Sequence, residues 1–260
     1  MKKIWVILLT VLIFLSGTLL GVSTTFRVSA VTVEASVVSD EAREEAKALE
    51  LRLQAAYDKD STLFANSKKA KTILKEFPYF YMTDFQKSYP RRIVVKVTED
   101  AEVYAVPLST DSENYYILNA NGEVLGVRST PENRFDGEPN VFLNGLTVEL
   151  SENNRTLHSD PCFESILAIC AEISGKLNGV RSNIVSVEVY LRNPETILCF
   201  TMREGVKLYI GSPEISTAEK ASAAIEKYLA LNDGQRLTGV IVVLDGVEGL
   251  TVAYQSKVPF

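Results

Sequence analysis

The chain has 260 residues, 46% of them hydrophobic, and a formal net charge of −6. That length accommodates one or two domains of ~100–200 residues, and the apolar fraction is that of a chain with a real core. The acidic balance argues against a nucleic-acid partner, which needs a basic stripe to displace phosphate counterions.

Ile4 to Val22 is 19 residues without a charge, close to the ~20 that cross a bilayer core. Lys2 and Lys3 precede the run, and Arg27 is the next positive charge, an order that leaves 1–3 in the cytoplasm and the rest outside. A cleaved signal peptide is the rival, with Val28-Ser29-Ala30 as its site. Signal cores span only ~7–15 residues, so the expectation is a transmembrane helix over 4–22.

Residues 28–98 read as strand, helix, helix, strand, strand. Val31 and Val33 alternate with Thr32 and Glu34, the period of a strand. Ser39 suits a helix N-cap, with Asp40 and Glu41 at the positive end of the dipole. Ala46, Leu49, Leu53 and Ala56 then form a stripe, and Ala70, Ile73, Leu74 and Phe77 form a second. Pro78 stops that second helix. Tyr79–Ser88 and Arg91–Val97 follow as strands, with Tyr89-Pro90 as their turn.

Short strands are expected at Glu102–Val106, Tyr115–Leu118 and Glu123–Val127, the last two joined by a two-residue hairpin at Asn121-Gly122. Ser129–Asn140 is polar and turn-rich, hence a loop. Asp160-Pro161 opens a third helix, with Phe163, Ile166, Leu167, Cys170, Ile173 and Leu177 on one face. Ile184–Leu191 alternates strictly, and strands follow at Ile197–Met202 and Val206–Ile210. Ser216 with Glu219 reads as a capping box for a helix carrying Ala221, Ile225 and Tyr228. Val240–Leu244 is a buried strand, and Leu250–Tyr254 closes the chain as a last one.

Reactive residue types are sparse. Cys162, Cys170 and Cys199 are the three cysteines; an odd count without C-x-x-C is no disulfide framework, although a bridge from Cys162 or Cys170 to Cys199 stays open. His158 is the only histidine, in a polar, loop-like stretch, so a histidine zinc site or Ser-His-Asp triad would have to use it. Phosphate loops, nucleophile elbows and metal spacings are not visible. The Asn154-Arg155-Thr156 triplet and the lysines at 68, 69 and 71 read as incidental and as a solvated face.

The order of elements resembles the FtsQ/DivIB family of bacterial cell-division proteins. Carrying the resemblance are Leu63-Phe64 between the first helices, Phe77-Pro78, Pro90 with Ile93, Val95, Val97 and Glu99, the hairpin Tyr115-Tyr116-Ile117-Leu118 to Val124-Leu125, and Val240 to Asp245. The sequence departs from the family pattern at Asp100, Glu102 and Tyr104, and Glu34-Ala35 lacks the family's glycine. The resemblance implies an α+β chain: a tail (1–3), a transmembrane helix (4–22), a POTRA domain (26–99) of strand-helix-helix-strand-strand order, and a β-rich domain (100–260) with a mostly antiparallel sheet and two helices. It implies a non-catalytic scaffold of the divisome, the assembly that builds the septum. Such a scaffold is a single-pass protein of the cell membrane at that septum. It binds FtsL-like and FtsB/DivIC-like coiled-coil proteins, with no cofactor, metal, nucleic acid or small-molecule substrate. By that resemblance the expected partner-binding residues are Leu250, Thr251, Val252, Ala253 and Tyr254; a last strand that ends its sheet offers free backbone groups to a partner strand, while the residues by themselves leave open an ordinary edge strand shielded by twist or by Lys257 and Pro259. The alternatives from other classes are a membrane-tethered exported hydrolase using a carboxylate pair and a POTRA-type secretion or assembly module.

Overall fold

The computed structural model describes residues 2–109, 112–146, 148–150, 157–159, 162–192, 195–247 and 249–257. The chain divides into two compact units, Met1–Asp100 and Ala101–Phe260.

The first unit contains α1 (Lys2–Thr25), β1 (Ala30–Ser36), α2 (Asp40–Tyr57), α3 (Ser67–Leu74), β2 (Phe80–Ser88) and β3 (Arg92–Glu99). Here the expected transmembrane helix over 4–22 is corrected. Among the described residues no helix is long and apolar enough to cross a membrane.

The three strands pair in the order β1-β3-β2, with β1 parallel and β2 antiparallel to the central β3. Val28, Val31, Leu49, Leu53, Ala70, Ile73, Ile93, Val95 and Val97 fill its core. Ser39 caps α2 as its sequence predicts, its hydroxyl accepting from the Ala42 N–H at 3.1 Å. The buried stripe of α2 is Ala42, Leu49, Leu53 and Tyr57, with Ala46 and Ala56 only flanking it. Tyr57 goes deep because its hydroxyl donates to the Asn66 carbonyl at 2.6 Å and accepts from the Ala70 N–H at 3.1 Å. The phenol thus joins α2 to the start of α3, where the Asn66 side chain caps the Lys68 N–H. Glu99 closes the unit: its buried carboxylate accepts from the Val38 and Ser39 N–H groups and from the Ser39 hydroxyl.

The second unit begins with β4 (Tyr104–Pro107), β5 (Tyr115–Leu118), β6 (Val124–Arg128), β7 (Val141–Asn144), β8 (Val148–Leu150), β9 (Leu157–Ser159) and α4 (Cys162–Leu177). It continues with β10 (Ile184–Arg192), β11 (Glu195–Met202), β12 (Lys207–Gly211), α5 (Thr217–Leu229), α6 (Asp233–Arg236), β13 (Val240–Gly246) and β14 (Gly249–Gln255). Nine strands form one sheet in the order β14-β13-β12-β11-β10-β7-β4-β5-β6, and β8 pairs with β9 alone. The pairs β12/β13, β7/β10 and β4/β7 are parallel and the rest of the large sheet is antiparallel. Parallel neighbours need a crossover, and α4 and α5 provide two of them, between β7 and β10 and between β12 and β13. Both helices bury their apolar faces against Val187, Leu198, Phe200, Leu208, Ile210, Ile241 and Val243. The alternate residues Ile197, Cys199, Tyr209, Val240 and Val242 form a smaller cluster on the opposite face, as the two-residue period of strands requires.

Several local expectations change. Ser216 precedes α5 in the left-handed region, at φ 52°, and makes no side-chain cap bond; the capping box found instead joins Asn232 and Gln235 at α6, a third helix beyond the two expected. The β5–β6 connection spans 119–123, and the Asn119 side-chain oxygen organises it by accepting from the Asn121 and Glu123 N–H groups. His158 lies on β9, opposite Glu149, not in a loop. The expected helix start at Asp160-Pro161 and the Asn154-Arg155-Thr156 triplet lie outside the described residues.

Candidate functional site: an unguarded sheet edge

All five expected binding residues, Leu250 to Tyr254, lie on β14, and β14 ends the nine-stranded sheet. It pairs with β13 alone, in unbroken register from Gly246↔Gly249 to Val240↔Gln255. Gly246 and Gly249 flank a two-residue connection, and the pair flanking such a hairpin is hydrogen-bonded. Antiparallel pairs alternate between bonded and non-bonded. The residues opposite Asp245, Val243 and Ile241 are therefore the non-bonded ones: Leu250, Val252 and Tyr254 direct their N–H and C=O groups away from β13.

Side chains divide across the two faces. Val252 and Tyr254 pack against the main core under α5, while Thr251 and Ala253 continue the opposite face beside Leu244 and Val242. The Tyr254 hydroxyl donates to the Thr238 carbonyl at 3.2 Å. Gly239 passes so close to this strand that a Cβ there would stand 2.6 Å from the Gln255 carbonyl oxygen, and its φ is 85°.

Exposed strand edges are hazards that folded proteins blunt with charges, prolines, bulges or covering groups, and the other long edges here are guarded. On β1, the Val31 N–H donates to Gln54 Oε1 at 2.6 Å and the Val33 N–H to Glu50 Oε2 at 2.8 Å, so side chains of α2 occupy that edge. β2 carries Asp84 and Lys87 and a register shift between Met82 and Asp84. β6 is five residues long, ends on Arg128, and adjoins a register shift at Ile117 and Leu118. β14 has neither charge nor proline in Gly249–Gln255, and no register shift. Among the described residues nothing outside β13 hydrogen-bonds to its backbone. Lys257 follows the strand in an exposed position; Pro259 lies outside the described residues.

Other places in the second unit offer less chemistry. A cleft of 580 Å³ is lined by Glu102, Asp136, Glu138, Ser174, Arg181 and Arg203 among others. Arg181 holds Asp136 through two guanidinium bonds at 2.9 and 3.1 Å, and these hold the Asp136 carboxyl below the usual range. A carboxylate held that way is a poor proton donor at neutral pH. Glu102 is fully buried and accepts from Arg128 at 2.6 Å and from the Arg134 N–H at 3.0 Å. It pins the 129–140 loop. The three cysteines are buried thiols; burial pushes Cys170 up to about 12 and raises Cys199 as well, which makes both inert. Among the described residues no group of three or more His, Cys, Asp or Glu side chains is placed to hold a metal ion. Of the lysines at 68, 69 and 71, Lys69 is committed in the first unit, bonding Asp60 at 2.6 Å and lying 5.1 Å from the centre of the Tyr57 ring.

No family model and no curated protein matches this chain. Its functional reading therefore rests on its own geometry and on the sequence resemblance.

Sequence reasoning missed one feature beside this edge: Lys220, fully buried on α5 and bonded to Asp245. A lysine inside the apolar stripe Ala221, Ala224, Ile225 and Tyr228 was the available signal, together with an aspartate ending an apolar strand.

Proposed function

We propose that the chain is a non-catalytic binding scaffold whose second unit accepts a β-strand from a partner protein along β14. The observation that carries the reading is the contrast between edges: among the described residues, β14 alone of the outer strands of the two main sheets combines a plain register, no charge and no covering group. Leu250, Val252 and Tyr254 present one N–H and one C=O each, six groups in all. At about 0.5–1.5 kcal/mol net per bond, backbone pairing supplies a few kcal/mol, most of it consumed by the cost of association. Affinity and selectivity then come from side chains packed beside Leu250, Val252 and Tyr254 on one face or Thr251 and Ala253 on the other.

The resemblance to FtsQ/DivIB proteins supports naming the partners as the FtsL-like and FtsB/DivIC-like proteins of the same cell, and the setting as assembly of the septum. The test is calorimetric titration of the full chain with the purified ectodomains of those two proteins, for the wild type and for Val252→Pro. Proline removes an outward-facing donor and leaves the β13 ladder intact. Saturable wild-type binding, weakened by at least about tenfold in a variant with an unchanged melting temperature, is the expected result. No binding by a folded wild type would overturn the partner assignment. Binding unaffected by the proline would overturn β14 as the site.

A further inference from the structure

A lysine inside a protein core is costly unless every donor is satisfied and its charge is met. Lys220 is 0% exposed, and its ammonium has three donors. Two go to main-chain carbonyls at the end of β12, Gly211 and Ser212, each at 2.8 Å, and the third goes to Asp245 Oδ2 at 2.7 Å. Asp245 is half exposed and sits at the end of β13, directly across from Leu250, the first residue of the proposed binding edge.

The surroundings make this more than a satisfied core charge. The segment that Lys220 grips carries two non-glycine residues in the left-handed region, Ser212 at φ 42° and Ser216 at φ 52°, a conformation that persists only where surrounding contacts enforce it. Gly211 is packed so tightly on β13 that a Cβ there would meet Leu244 Cδ2 at 2.6 Å. Lys220 therefore ties three pieces at one point: the strained exit from β12, the first turns of α5, and the end of β13 from which β14 turns back. Beyond Asp245 only the two-residue connection and the pair Gly246↔Gly249 lie before the edge begins.

We infer that Lys220 and Asp245 form a clamp that holds the β13–β14 hairpin against α5, so that Lys220 is a positioning residue for partner binding although it lies beneath the surface. This rests on the reading of β14 as the binding edge. Without the clamp the sheet keeps its core, since Ile241 and Val243 remain buried, but the β14 end loses its fixed place and with it the preorganised backbone groups.

The experiment is residue-resolved amide hydrogen exchange on the intact chain, comparing wild type with Lys220→Met, which keeps the stem and removes the charge, and with Asp245→Asn, a milder change that leaves an acceptor. The expected result is exchange at least about tenfold faster in β14 of Lys220→Met, with β10 and β11 unchanged, and a smaller effect of the same pattern in Asp245→Asn. A uniform rise across the whole sheet, or none in β14, overturns the clamp. Should Lys220→Met fail to fold, Asp245→Asn alone decides by the same criterion. Titration with the DivIC-type ectodomain is then read separately. Local loosening with weakened binding supports clamp and edge together. Local loosening with unchanged binding keeps a clamp on the hairpin but overturns Lys220 as a positioning residue for binding, and it counts against the edge reading.

Discussion

Cys170 and Tyr104 both lie buried in the main core. Burial pushes Cys170 from its ordinary 9.0 up to about 12 and raises Tyr104 as well. On α5, burial and then a hydrogen bond to Glu204 push Tyr228 up to about 12. In each case the folded chain favours the neutral form more strongly than the unfolded chain does. A raised folded value means that the stabilisation is complete below the unfolded value and is lost as pH rises towards the folded one. Thermal melts should therefore be level from neutral to about pH 9 and fall steadily between there and about pH 12. Replacing Cys170 with alanine should remove part of that slope. A curve level to about pH 12 would contradict the assignment. None of this was legible in the sequence, which places Cys170 on an apolar helix face but cannot show Tyr104 of β4 buried in the same core.

At the scale of elements, what could be read depended on how local the determinants are. The strict alternation of Ile93, Val95 and Val97 specifies β3, and the structure buries those three residues on one face. The Ser39 cap depends on one side chain and the next turn, and it is present. At Ser216 the backbone enters α5 from the left-handed region, so its hydroxyl is misplaced for capping; that φ is imposed by tertiary packing and leaves no trace in a four-residue pattern. The four residues of β7 were missed for a similar reason, since a strand that short between parallel neighbours has no measurable period. The Asn121-Gly122 signal marked a turn correctly but gave the wrong loop length, because Asn119 recruits three more residues. Gly122 carries the sharpest constraint there: its φ is 78°, and a Cβ would stand 2.8 Å from Leu167 Cδ1 and 2.9 Å from the Phe163 ring. Gly122→Ala should destabilise the second unit by about 1–3 kcal/mol, from strain and overpacking combined, read as a lowered urea midpoint. An unchanged midpoint would mean that α4 yields freely at that contact.

Across the whole molecule, each of the two units has its own core, and the four outer strands of their main sheets are β1, β2, β6 and β14. The proposed binding strand was legible as a strand because Leu250, Val252 and Tyr254 alternate with Thr251, Ala253 and Gln255. Its openness was not, because that depends on what the other edges do: Glu50 and Gln54 shield β1 from α2, some twenty residues away in the chain, and the shifts in β2 and β6 emerge only from paired registers. The hidden clamp at Lys220 has the same character, since its partners come from β12 and β13.

The most direct measurement is amide hydrogen exchange of the full chain with and without a saturating FtsB/DivIC-type ectodomain. Protection should rise at Leu250, Val252 and Tyr254, whose N–H groups face outward, while amides already paired to β13 change little. Protection confined to another edge, or absent from those three residues in a complex that demonstrably forms, would contradict strand addition at β14.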